Sequence, residues 1–73
     1  MTIYVLKYTD QRPDSEQGKK VEAFSSYTVA QKTWRELKDL NSPDVTIEDM
    51  DNAITKNVVS TQTEVIALIN TLA

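Results

Sequence analysis

The chain has 73 residues and a mass of 8.3 kDa, room for one domain with a thin core. Hydrophobic residues make up 40% and charged residues 26%, a globular composition, and a single Gly and two Pro exclude low-complexity and collagen-like classes. With neither Cys nor His, the chain has no disulfide, no thiolate nucleophile and no cysteine-based zinc site, and it lacks the commonest general base.

Residues 2–8 (TIYVLKY) are β-branched and aromatic with no helix cap before them, which predicts a strand. Residues 9–18 (TDQRPDSEQG) are polar, contain Pro13 and end at the only Gly, which predicts a loop. Residues 19–25 (KKVEAFS) alternate Val21 and Ala23 against Glu22 and Phe24 and predict a second strand, forming a long-tipped hairpin with the first. A helix follows. Thr28 and Gln31 have capping-box spacing, Ala30, Trp34, Leu37 and Leu40 make an apolar stripe, and Asn41-Ser42-Pro43 stops it.

Residues 44–59 support two readings. In the preferred one, residues 45–50 and 53–59 are strands of a hairpin turned at Asp51-Asn52. In the other they are helical, with Thr46 and Asp49 as a capping box and Ile47, Met50, Ile54 and Val58 near helical spacing. The last segment predicts a helix, capped at Ser60 or Thr61, with Thr61 and Glu64 as a capping box and Val65, Leu68, Ile69 and Leu72 as its stripe. The expected fold is therefore one α+β domain over residues 1–73, order ββαββα (alternative ββααα). Its helices are expected to pack on one face of a small antiparallel sheet.

For function, the acidic group Asp44, Glu48, Asp49 and Asp51 comes first. Carboxylates suit Ca²⁺ or Mg²⁺, but a calcium loop begun at Asp49 puts Ala53 at the third ligand position, Ile54 where the central Gly belongs and Ser60 where the closing Glu belongs. No metal or other cofactor is expected. Charge is unevenly distributed: residues 1–38 carry seven basic and five acidic side chains, a net of +2, whereas residues 39–73 carry one basic and six acidic, a net of −5. An acidic lobe of that kind attracts basic surfaces and speeds association with them.

Direct nucleic-acid binding is disfavoured by a pI of 4.7 and by acids interleaved among the lysines; a mimic of nucleic-acid charge fits the sign better, with modest charge density. Catalysis has few candidates, because the serines have no His and one Gly cannot build a phosphate loop; no enzyme is expected. Tyr4 and Tyr8 share a strand face with Leu6, and with helices on one side only they form an expected aromatic contact surface. The expected partner-binding residues are Asp44, Glu48, Asp49, Asp51, Tyr4 and Tyr8.

The longest apolar run, residues 65–69, is far short of the roughly 20 residues that span a bilayer, and no secretory signal pattern is visible, so a soluble cytoplasmic protein is expected. In its shortness, acidity, missing catalytic residues and ββα start, the chain resembles the compact accessory proteins of phages and mobile elements that inhibit host machinery, anti-CRISPR proteins among them. The resemblance is one of character and carries no residue across. It implies a non-enzymatic protein-interaction module, an inhibitor or regulator, docking an acidic surface on a basic, nucleic-acid-handling partner. The alternative is a structural homo-oligomer, such as a homodimer, paired through sheet edges or aromatic faces.

Overall fold

The computed structural model describes residues 1–14 and 16–72. Strand β1 (Thr2–Asp10) runs down the middle of a four-stranded antiparallel sheet. On one side it pairs with β2 (Gly18–Phe24), with Tyr4 opposite Phe24 and Asp10 opposite Gly18. Strand β1 runs two residues further than the sequence pattern implied and β2 starts and ends one residue earlier, leaving residues 11–17 as the connection. Gly18 has φ +124°, a conformation open chiefly to Gly, which explains why the only Gly stands where the loop turns into the strand.

Helix α1 (Tyr27–Asp39) starts at Ser26, whose Oγ accepts from the Val29 N–H at 3.5 Å, two residues before the expected Thr28 cap. It ends as expected: Asn41 takes a left-handed φ of +46° and donates its N–H to the Lys38 carbonyl.

Residues 44–59 do not form a hairpin, nor the longer helix of the alternative reading. Strand β3 is only Val45–Thr46, α2 is a single turn (Met50–Ala53), and β4 is Ile54–Val58. Strands β3 and β4 both pair with the same edge of β1, β4 along Thr2 to Leu6 and β3 at Thr9 and Asp10. The physical reason is length. Nine residues of β1 extend about 30 Å, enough for two short strands end to end, and α2 carries the chain between them.

Helix α3 (Gln62–Leu72) has the expected box: the Glu64 N–H donates to Thr61 Oγ1 at 3.2 Å, and the Glu64 carboxylate accepts from the Ser60 N–H at 2.8 Å. The α+β class and the order ββαββα are those of the molecule, with the one-turn α2 set between β3 and β4.

The placement of α3 differs from expectation. Along β1 side chains alternate between faces. Tyr4, Leu6 and Tyr8 pack with Ala30, Trp34 and Leu37 of α1 and with Met50 and Ala53 of α2. Ile3 and Val5 pack instead with Val65, Leu68, Ile69 and Leu72 of α3, together with Val21 and Ala23 of β2. The sheet is thus covered on both sides. A central strand with two apolar faces demands cover on each, and Val5 and Leu6, neighbours on opposite faces, are both fully buried.

Candidate functional site

All four acidic residues singled out in the sequence are exposed, and each sits in the stretch that carries the chain from α1 to β4. Two hydrogen bonds pin that stretch to the fold, and a cap stiffens it from within. The Asp44 carbonyl accepts from the Gln11 N–H at 2.7 Å. The Glu48 carbonyl accepts from the indole N–H of Trp34 at 2.9 Å, which ties the segment to α1. Asp49 caps α2: its carbonyl accepts from the Asn52 and Ala53 N–H groups, and its Oδ1 accepts from the Asn52 side-chain amide at 2.6 Å. The carboxylates of Asp44, Glu48 and Asp51 form no ion pair or side-chain hydrogen bond with any described residue. They face water as unpaired charges, while Asp49 also holds the local structure.

Tyr4 and Tyr8 do not lie on an open face. Both are half-buried in the layer under α1, because α1 covers their side of the sheet and α3 the other. Tyr4 meets Tyr27 with ring centroids 5.2 Å apart and planes tilted by 47°. The Tyr8 hydroxyl is pushed above its ordinary 10.0, first by burial and then by the neighbouring Glu22 and Asp10 carboxylates, with Arg12 opposing.

The expected residues are brought together in part. Tyr4 and Asp51 line one shallow hollow with Tyr27, Ile54 and Lys56. Tyr8 and Glu48 line a cleft of about 290 Å³ where β1 passes from β4 to β3. Asp44 lies apart, in the turn before β3. Lys7, Lys19 and Lys20 line the same cleft as Glu48, so the charge difference between the two halves of the sequence is not a clean division in space.

One pair escaped the sequence reading. Among the described residues, Asp10 is the buried charged one, 2% exposed at the end of β1. Its Oδ1 accepts from the Arg12 backbone N–H and from Arg12 Nε, both at 3.0 Å, and its Oδ2 from Arg12 Nη2 at 2.7 Å. This fork-to-fork pair folds the start of the loop back on the strand and raises the guanidinium's proton affinity, chiefly through the hydrogen bond itself. The signal was an Asp ending an apolar strand with Arg two residues on, the spacing of a side-chain-closed turn.

Among the described residues no group of three or more Asp and Glu is placed to hold a metal ion. Among the same residues, no helix is long and apolar enough to cross a membrane. Comparison with protein-family models, with curated proteins and with solved structures finds no match.

Proposed function

We propose that the chain is a non-enzymatic protein-interaction module, an inhibitor or regulator of the kind phages and mobile elements encode, anti-CRISPR-like in character. It docks residues 44–51 on a basic surface of a nucleic-acid-handling partner in the cytoplasm. The observation that carries this reading is the state of Asp44, Glu48 and Asp51: exposed, without ion-pair partners among the described residues, and borne on a segment anchored at Gln11, Trp34 and α2. Carboxylates displayed on a fixed frame lose little freedom when they meet a cationic surface, and their field steers the encounter.

The test is a pull-down from source-cell lysate with stepwise salt elution, run beside the Asp44→Lys/Glu48→Lys/Asp51→Lys variant. Asp49 is left intact because it caps α2. The wild type is expected to retain a basic partner that salt releases, and the variant to lose it. Equal capture by both proteins would remove the electrostatic docking mechanism.

A second reading, homo-oligomerisation, is favoured by the outer edge of β2, which pairs with no other described strand along its seven residues. The aromatic-face version of that reading is weakened, since Tyr4 and Tyr8 are engaged under α1.

A further inference from the structure

We infer that two copies of this chain join β2 to β2 about a two-fold axis through Val21, with Lys20 of each copy paired to Glu22 of the other. This rests on the homo-oligomer reading and names the edge, the register and the residues that set it.

The backbone decides which groups are free. Met1 and Val59 exchange both hydrogen bonds, at 2.7 and 2.8 Å, and the Gln11 N–H donates to the Asp44 carbonyl. Odd-numbered residues of β1 therefore turn their backbone groups toward β3 and β4, and even-numbered ones toward β2. Through the register of Leu6 with Glu22 and Tyr8 with Lys20, even-numbered residues of β2 are bonded to β1. Lys19, Val21 and Ala23 then aim their N–H and C=O groups outward, along the open edge.

A two-fold axis at Val21 satisfies that edge over its whole length. Val21 opposes Val21, Lys19 opposes Ala23, and Gly18 opposes Phe24, so all seven residues of β2 are paired. Lys20 and Glu22 then face each other twice, on the side of the sheet that carries Tyr8 and Leu6. Opposite charges across neighbouring strands stabilise pairing and like charges oppose it. Moving the axis to Lys20 sets two lysines face to face, and moving it to Glu22 sets two glutamates face to face.

The other free edge lacks this property. Pairing all five residues of β4 with a second copy centres the axis on Lys56 and puts the two ammonium groups opposite each other. The interface is isologous, and it turns two four-stranded sheets into one of eight strands.

Sedimentation from about 10 µM to about 1 mM, the range for an interface built mainly on one strand pair, tests this in wild type, Lys20→Glu, Glu22→Lys and the double exchange. Circular dichroism checks that each protein is folded. The wild type is expected to dimerise with rising concentration, and each single change to weaken the dimer about tenfold or more. The double exchange is expected to restore it to within about twofold. Hydrogen exchange should show the Val21 N–H protected only as the dimer fills. A monomer at every concentration overturns both this inference and the homo-oligomer reading. A dimer indifferent to the exchanges, with newly protected amides at Lys56 and Val58, overturns the β2 assignment and leaves homo-oligomerisation standing.

Discussion

Asp10 shows what a single residue decides in a domain this small. A carboxylate only 2% exposed has lost most of its hydration, and the three donors of Arg12 replace it. Asp10→Ala removes the acceptor that holds the start of the loop, and is expected to lower unfolding free energy by about 2 kcal/mol. Urea unfolding measures that loss. Asp10→Asn keeps the shape but turns one accepting oxygen into a donor aimed at Arg12, so it should recover little. Stabilities equal to wild type in both variants would show that the pair contributes nothing net. The sequence placed Asp10 in a polar loop because burial of a charge cannot be read from pattern; it depends on Gly18 and Val45 arriving on either side. The exposure of Asp44, Glu48, Asp49 and Asp51 was legible, since short charged side chains near turns stay in water. The burial of Tyr4 and Tyr8 was not, because it follows from which face each helix takes.

Elements long enough to show a period were readable; of the shorter ones, β3 and β4 were read as strands, but their pairing and the helical turn between them were not. The strands β1 and β2 and the helices α1 and α3 each span seven residues or more, so alternation or a 3.6-residue stripe has room to repeat. In residues 44–59, β3 has two residues and α2 has four, too few for either period to appear. The β-branched residues suggested two strands that pair with each other; both pair with β1 instead, a choice fixed by its length. What holds this irregular stretch in place is a contact from another element. The Trp34 ring packs in the α1 layer, its N–H reaches the Glu48 carbonyl, and Lys38 lies 5.8 Å from the ring centre. Trp34→Phe keeps most of the apolar contact and removes the donor. It is expected to cost about 1 kcal/mol and to speed amide exchange at Asn52 and Ala53 more than at any residue of α3. Uniform acceleration across the chain would instead mean that the indole acts through general packing.

For the whole molecule, the consequence of a sheet covered on both sides is two small cores divided by that sheet. Ile3, Val5, Val59 and Val65 form the α3 side, and Leu6, Ala30, Ala53 and Ile54 the side of α1 and α2. The two share β1 but no buried side chain, and a domain under 150 residues still unfolds as one unit when both are intact. Leu6→Ala is expected to cost about 3 kcal/mol and Val65→Ala about 2 kcal/mol, each opening a void in its own layer. Since the sites have no common partner, the double variant should show their sum to within about 0.5 kcal/mol. Ile3→Val with Val65→Ala should depart from additivity, because both lie in one cluster and the second void relaxes into the first. Denaturant unfolding of the three single variants, Ile3→Val included, and the two doubles decides the matter. Strong coupling between Leu6 and Val65 would show that β1 transmits strain between layers, so that loss of α3 packing would also loosen the α1 layer, to which the Trp34 bond ties the acidic segment. Additivity would leave that segment's geometry independent of the α3 layer, so that a change there alters stability without altering how residues 44–51 are presented.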